Sequence, residues 1–293
     1  DIGVTGVQTC ALPILTSVFT SIVQEILAVN TTFTAPTVSV NAFNRTQNLN
    51  DLFITVFGTS AQYHWPGNIK KYEVDKDGTI VGQPVGGKSQ PAVDPSTGFF
   101  LNNAKSFWSD VVDGADVALG GAAHKLPDPA TRSVFTDLAG GDLTAAGNSV
   151  ATTNTAITDV MLGGLDATVT RDSLIEWIRG ADINAADAAD RTKPRFVMGD
   201  PLHSRPASVI YGGTQESPDM VLFAATNDGY LHAINAADGK EIWSYIPSHL
   251  LNRMTDLYLN KTQPAKRYGL DGNMRVFKLD VNGNGLVDTA DGD

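Results

Sequence analysis

The sequence has little of three things: cysteine, positive charge and long hydrophobic runs. A single cysteine, Cys10, rules out a disulfide framework within the chain. Lys and Arg number 21 against 32 Asp and Glu, and the net charge of −11 argues against nucleic-acid binding through a general basic surface. No apolar run approaches the length of a transmembrane helix, and no signal peptide is visible.

Glycine-rich turns and a large apolar fraction are what the sequence has instead. Of its 293 residues, 42% are hydrophobic, which is enough to build one large or two modest domains. The 28 glycines recur between short β-rich runs, a pattern typical of all-β proteins. The composition therefore predicts an all-β chain, with irregular insertions where glycine, alanine and threonine dominate.

The segment Val221–Pro247 organises this prediction. It holds three short strands, Val221–Ala225, Tyr230–Asn235 and Glu241–Ile246. Asp-Gly pairs at 228–229 and 238–239 separate them, and such pairs favour tight hairpin turns. Neither face of the first two strands is polar, so the meander must lie between neighbours like itself. We therefore predict one blade of a β-propeller, with a meander in a sandwich or another kind of sheet as the alternative.

The end of this segment resembles the tryptophan-docking repeat of quinoprotein-type propellers, Ala-x-Asp-x-x-Thr-Gly-x-x-x-Trp. Ala233, Gly239 and Trp243 keep its spacing, while Asn235 and Asp238 replace the usual Asp and Thr. The glycine makes the turn, and the tryptophan supplies a large apolar plug between blades. The repeat is specific for architecture and carries no chemistry.

Outside this segment the pattern predicts further elements. They are a hairpin of Ile69–Val74 and Thr79–Val81, a loop at Gly82–Gly98, short helices at Asn102–Asp110 and Thr170–Arg179, a partly exposed insertion at Leu138–Thr168 and a strand-like run at Arg267–Asp280. Thr170 is the expected N-cap of the second helix, and Gly180 is expected to end it.

The first residues look foreign to the rest. Val4–Ile14 is similar to the conceptual translation of a sequencing-adapter oligonucleotide, so we expect residues 1–14 to be an artefact that packs against nothing. Leu15–Val29 has apolar residues at helical spacing and predicts a short amphipathic N-terminal helix. The sequence stops within a Gly/Asp loop, from which we expect an internal piece of a longer protein.

The segment Asp280–Asp291, DVNGNGLVDTAD, predicts a calcium site. A loop of EF-hand type has oxygen ligands at positions one, three, five, seven, nine and twelve, with glycine at six. These ligand positions hold Asp280, Asn282, Asn284, Leu286 through its carbonyl, Asp288 and Asp291. An aspartate replaces the longer glutamate at the last position, which favours a one-loop site over a true EF-hand. A polar hairpin loop is the alternative.

Other candidate sites are weaker. Asp182, Asn184, Asp187 and Asp190 form a second acidic cluster, but their spacing is poor and we interpret them as a solvated loop. Histidines occur at His64, His124, His203, His232 and His249, none of them paired at metal-ligand spacing. His232 lies in a predicted strand and is expected to be a packed core histidine. We find no nucleophile motif and no phosphate loop.

Several segments in the same order resemble the PilC/PilY family, the tip-associated adhesin and biogenesis proteins of type IV pili. They are FTAPTVSVNAFNR (33–45), HWPGNIKKY (64–72), AVDPSTGFF (92–100), SFWS (106–109), GDPLHSRP (199–206) and the blade itself. The resemblance implies that residues 34–293 are the N-terminal part of a β-propeller, truncated at its C-terminus, so we expect a partial propeller with quinoprotein-like blades. It also implies that residues 15–33 are the last helix of an upstream von Willebrand factor A-like domain.

The resemblance further implies a bound Ca²⁺. The family motif Asp-x-Asn-x-Asp-x-x-x-Asp falls on Asp280, Asn282, Asn284 and Asp288, where Asn284 replaces an aspartate and removes one negative charge. The implied partners are pilin and minor pilin subunits and a host or abiotic surface, with no nucleic acid. The implied location is the cell surface, at the pilus tip or associated with the outer membrane after export.

Two functions of different classes follow. The first is a non-enzymatic surface protein that acts in attachment and in calcium-dependent control of pilus extension and retraction. The second is a quinone (PQQ)-dependent dehydrogenase on a related propeller. The sequence lacks the vicinal cysteine pair that some of those enzymes carry and has a single good docking repeat. We therefore expect the first function.

Overall fold

Short strands dominate the part of the chain that the structure describes. The computed structural model describes residues 33–40, 48–214, 217–277 and 281. All of them belong to the second of the two units into which the chain divides, Thr32–Asp293. Strands account for 28% of the chain and helices for 13%, so the protein is of the all-β class, as predicted. The expected artefact at 1–14 and the expected helix at 15–29 lie outside the described residues.

The first sheet is an antiparallel meander in sequence order. Its strands are β1 Phe33–Val40, β2 Asn48–Phe57, β3 Pro66–Val74, β4 Ile80–Val85 and β5 Lys88–Pro91. The predicted hairpin is confirmed: the backbone of Asp75 bonds that of Thr79, and Gly78 has a φ of 81°. The predicted loop at 82–98 is wrong in part, because β4 and β5 pair through it. Pro91 is tolerated there because β5 is an edge strand.

The second sheet contains the predicted meander. Its strands are β6 Val134–Phe135, β8 Ala207–Gly213, β9 Pro218–Ala225, β10 Leu231–Asn235 and β11 Glu241–Tyr245, in the order β6-β11-β10-β9-β8. β8 to β11 are antiparallel and consecutive, whereas β6 runs parallel to β11. The three predicted strands are confirmed and a fourth, β8, precedes them. Among the described residues neither sheet closes on itself.

The short strand β7, Met198–Gly199, joins the first sheet beside β3. A Cβ on Gly67 would lie 2.2 Å from the carbonyl oxygen of Gly199, so the two backbones can approach this closely only because residue 67 has no side chain. The 199–206 loop also lies next to the turn between β9 and β10. A Cβ on Gly199 would lie 2.3 Å from the carboxylate of Asp228, which shows how closely the two segments approach.

In the residues that the structure describes, helices are few and short. They are α1 Arg171–Ile178, α2 Met254–Leu259 and the 3₁₀ helices Ala122–Lys125, Ala146–Asn148, Ala188–Asp190 and Ser248–Arg253. The side chain of Thr170 caps α1 by accepting a hydrogen bond from the Ser173 amide, and Gly180 follows with a φ of 105°. Both features confirm the predicted helix boundaries. In the described ranges no helix is long and apolar enough to cross a membrane.

Two predicted elements are wrong. Residues 102–110 form turns rather than a helix, because Ser106 and Ser109 both bond the Asp113 carboxylate and fold the chain back on itself. Arg267–Phe277, the described part of the strand-like run, has no strand. Several of its amides and side chains bond neighbouring loops instead, as described below.

The core between the sheets contains Trp108 and residues of both meanders. Trp108 stacks on Phe53 of β2 at 5.5 Å, and its Nε1 donates to the carbonyl of Ala236 after β10. Leu222 and Ile234 of the second sheet complete this cluster. A second cluster packs α1 and α2 against the predicted insertion, whose Ile157 and Leu162 are fully buried. The insertion is therefore irregular, as predicted, but it contributes to the core.

The two faces of the second sheet differ in burial. The face that carries Leu222 and Ile234 packs on the core and is fully covered. On the opposite face Phe223 and Trp243 flank Ala233 in register, and their rings lie 5.9 Å apart. These two rings are only partly buried. The expectation that both faces are buried therefore holds for one face and in part for the other, but the buried face is not wholly apolar, since it carries His232 beside Ile234.

Candidate functional site

The predicted calcium ligands Asp280, Asn282, Asn284, Leu286, Asp288 and Asp291 lie outside the described residues. In the part of the chain that the structure does describe, no group of three or more His, Cys, Asp or Glu could hold a metal ion. The second acidic cluster fits its interpretation as a solvated loop, since Asp187 caps a 3₁₀ turn and Asp190 pairs with Lys193.

The described residues do contain a dense polar site at the turn from β9 to β10. Thr226–Tyr230 forms this turn: the Thr226 amide donates to the Tyr230 carbonyl, and Gly229 has a φ of 100°. The sharp reversal puts Asn227 and Asp228 at the end of the sheet, where three other segments meet them. We call this cluster of polar side chains the turn site. Its members are Arg132, His232 and Glu241, then His64, Asp228 and Arg195, and finally Asn227 with Asp200, His203, Lys266 and Asp271.

The innermost part of the turn site is a buried ion network. Arg132 Nε and Nη2 donate to the two carboxylate oxygens of Glu241 at 2.6 and 2.9 Å, and His232 Nδ1 lies 2.6 Å from the second oxygen. All three side chains are buried, and the Tyr230 ring stacks on His232. Burial would raise the pKa of Glu241, but the charge of Arg132 and the hydrogen bonds from His232 and Arg132 lower it to about 2.

His232 is a packed core histidine, as predicted, and its polar neighbour in the core is the Glu241 carboxylate. Glu241 and Arg132 hold each other in bidentate geometry, which satisfies both charges in a low-dielectric interior. Arg132 directly precedes the loop into β6, and Glu241 begins β11. The ion pair therefore fastens the parallel strand β6 beside β11.

The middle of the turn site is formed by His64, Asp228 and Arg195. His64 Nε2 lies 3.9 Å from Asp228 Oδ2, and it has no hydrogen-bond partner among the described residues. Burial lowers the pKa of His64; Asp228 opposes this effect and Arg195 adds to it. His64 is therefore neutral at pH 7. Arg195 stacks its guanidinium 3.9 Å from the centre of the Trp177 ring.

The outer part of the turn site surrounds Asn227. Its Nδ2 donates to Asp200 Oδ1 at 2.8 Å and to Asp271 Oδ1 at 3.3 Å. Lys266 pairs with Asp200, and His203 Nδ1 lies 2.6 Å from Asp271 Oδ2. We call these five residues the clasp. It joins the β9–β10 turn to the 199–206 loop and to the segment after α2.

The turn site is built from paired polar groups. Asp200, Asp271 and Glu241 are each held by a cation or an amide, and Asp228 accepts a hydrogen bond from the Thr226 hydroxyl. Thr226 Oγ1 lies 3.5 Å from His232 Nε2, and the other ring nitrogen of His232 contacts Glu241. Sequence reasoning noted every histidine but missed the site, because Arg132 and Glu241 are 109 positions apart and His203 and Asp271 are 68 apart.

Comparison with known proteins adds no relative to this picture. No protein-family model, no curated protein and no solved structure matches the chain.

Proposed function

We propose that this chain is the calcium-binding β-propeller region of a type IV pilus tip-associated adhesin of the PilC/PilY type. It acts as a non-enzymatic surface protein in attachment and in control of pilus extension and retraction. The proposal rests on the ordered segments that resemble this family and on the calcium-loop pattern of residues 280–291.

One structural observation carries the proposal further. Three of the family-like segments, which are widely separated in sequence, meet at the turn site. His64 comes from the first, Asp200 and His203 come from the second, and Asn227 and Asp228 come from the blade. Segments that build one shared site depend on one another for their contacts. This supports treating their joint occurrence as one signal rather than as several chance matches.

The propeller is part of the proposal. We propose that β8 to β11 form one blade, since a blade is a four-stranded antiparallel meander. The partly buried face with Phe223 and Trp243 is then where the next blade packs, which is the role of the tryptophan in docking repeats. The partners that follow are pilin and minor pilin subunits and a host or abiotic surface, and the location is the cell surface.

The test is calorimetric titration of the protein with Ca²⁺. Two Asn among the ligands and no bidentate Glu should give a modest dissociation constant, on the order of 10⁻⁶ to 10⁻³ M. Asp280→Ala removes a carboxylate ligand and should abolish binding. The matched control is Asp182→Ala, which removes an aspartate of the second acidic cluster and should leave the titration unchanged.

Mg²⁺ provides a second arm of the same experiment. It demands a tight octahedron that a flexible one-loop site does not impose, so it should compete poorly. Equal Ca²⁺ affinity of the wild-type and Asp280→Ala proteins would refute the site, and with it the calcium-dependent part of the proposed function.

A further inference from the structure

The segment Asn260–Gly272, which follows α2, crosses the turn site as a strap. Its first residues pair with the loop before β3: the Tyr63 amide donates to the Lys261 carbonyl and the Gln263 amide to the Ala61 carbonyl. Asn260 Oδ1 accepts a hydrogen bond from the His64 amide at 2.8 Å. This end of the strap is therefore fastened mainly by uncharged backbone bonds.

The middle of the strap lies against the β9–β10 turn. The Gly269 amide donates to Asn227 Oδ1 at 3.0 Å, and the Leu270 amide donates to the Thr226 carbonyl at 3.2 Å. A Cβ on Gly269 would lie 2.5 Å from the carbonyl oxygen of Asn227, so the strap fits there without a side chain. These two amides report directly on whether the strap is docked.

The clasp holds this docked state with an unbalanced set of charges. Asp200 and Asp271 share the single Asn227 amide, which places two carboxylates close together. Lys266 neutralises Asp200, whose side chain is almost fully buried. The counter-charge of Asp271 is His203, which is charged only when protonated.

We propose that the clasp is a proton-controlled latch, in which protonated His203 holds the strap on the turn and deprotonated His203 lets it loosen. The groups that face His203 are Asp271 and the Tyr268 ring from the strap, with Asn227, Asp200 and Lys266 behind Asp271. Its side chain is 57% exposed, so protons reach it without unfolding. The latch goes beyond the proposed function and does not depend on calcium.

The direction of the effect follows from charge. When His203 loses its proton, Asp271 keeps its hydrogen bonds from the Asn227 side chain and the His203 amide but loses its cation, so the tie between the strap and the 199–206 loop weakens. Histidine is the side chain that ordinarily changes charge between pH 5 and 8, and the measurements therefore cover that range. Because the His203–Asp271 pair is partly exposed, we expect the strap to open about two- to fivefold more often at the upper end of this range than at the lower end.

Hydrogen exchange measures this opening at Gly269 and Leu270. Rates are taken from pH 5 to 8, corrected for intrinsic exchange and compared among three proteins. In the wild type, protection of these amides should fall with rising pH. In His203→Gln it should stay at the low level that the wild type reaches at high pH, since glutamine cannot acquire a charge. His249→Gln, at an exposed histidine outside the clasp, should behave as the wild type does.

A further variant separates the ion pair from other pH effects. Asp271→Asn keeps a polar group at the same place and removes the carboxylate, so its protection should also become independent of pH. The proposal is overturned if wild-type and His203→Gln proteins show the same pH dependence at these amides, or if Asp271→Asn retains the wild-type dependence. Because all samples are measured without Ca²⁺, failure of the latch and failure of the calcium site are distinguishable.

Discussion

Two buried ion networks, one in each sheet, fasten the chain in different ways. In the first sheet Lys70 of β3 donates to the carbonyls of Asp113, Gly114 and Asp116 and lies 3.2 Å from the Asp113 carboxylate. In the second sheet Glu241 is held by Arg132 and His232. Both networks are almost fully buried.

The difference lies in where the partners come from. All the partners of Lys70 lie within one short loop. The Asp113 carboxylate also accepts hydrogen bonds from the Ser106 amide and from the hydroxyls of Ser106 and Ser109. Glu241 instead depends on Arg132, which is distant in sequence. Loss of Glu241 would leave a buried cation without a counter-charge, whereas loss of Lys70 would leave an acid that still has three neutral donors.

The largest effect should come from breaking the second network. Glu241→Ala leaves the Arg132 guanidinium buried without a counter-charge, which costs about 3–5 kcal/mol of unfolding free energy. Urea unfolding measures this loss. Asp110→Ala is the control, since Asp110 pairs with Lys125 on the surface and its removal should leave the midpoint unchanged. A loss for Glu241→Ala no larger than that of the control would contradict the role given to this network.

The same network should show itself in the pH dependence of stability. The pKa of Glu241 is about 2 in the folded protein against an ordinary value of 4.5, so its contribution is present above pH 4.5 and is lost as the pH falls toward 2. The shift corresponds to about 3 kcal/mol at most. Unfolding free energies of wild-type and Glu241→Gln proteins between these pH values should converge as the pH falls. Parallel curves would show that this carboxyl does not titrate as described.

A smaller loss is expected when the first network is broken. Lys70→Met removes the cation, but Asp113 keeps its three neutral hydrogen bonds, so we expect a loss of about 2–3 kcal/mol. The neighbouring Lys71 is the matched control. It pairs with Asp51 at 2.9 Å in a less buried setting, and Lys71→Met should cost about 1 kcal/mol or less. If Lys70→Met costs more than Glu241→Ala, the comparison between the networks is wrong.

The sequence predicted local structure better than it predicted these networks. Asp-Gly turns revealed the meander, and the Thr170 cap revealed α1, because each signal lies within a few residues of the element that it sets. β8 was missed because its pairing with β9 is irregular between Ile210 and Gly212, which breaks the alternation that identifies a strand.

The turn site could not have been predicted in the same way. Its ion pairs join residues whose separation in sequence gives no spacing signal, and they depend on β7 bringing Gly199 against Gly67. The SFWS segment suggested a helix because Phe107 and Trp108 are adjacent apolar anchors, yet the serines around them bond Asp113 and make a turn. The predicted calcium ligands remain a prediction from sequence.

The smallest predicted effects are those of replacing the glycines in the two Asp-Gly turns of the meander, and they differ between the two turns. Gly229 and Gly239 both have positive φ, at 100° and 77°, so alanine is strained at either position. At Gly229 an added Cβ has room, since the nearest atom is Leu250 Cδ1 at 3.6 Å. At Gly239 it would lie 2.6 Å from the Trp108 ring, which is held by Phe53 and by the Ala236 carbonyl.

Gly229→Ala should therefore cost about 1 kcal/mol from backbone strain alone, and Gly239→Ala about 2 kcal/mol because the ring must also move. Thermal unfolding of the two variants, side by side, measures the difference. Tryptophan fluorescence should change in Gly239→Ala and stay unchanged in Gly229→Ala, since Trp108 is the ring displaced. Trp108→Ala provides the decisive background: it removes the two ring atoms at 2.6 Å and leaves only the Cβ at 3.0 Å, so the two glycine variants should become nearly equal in cost. If Gly239→Ala stays the worse of the two there, the extra cost lies in the turn itself and not in the packing between the sheets.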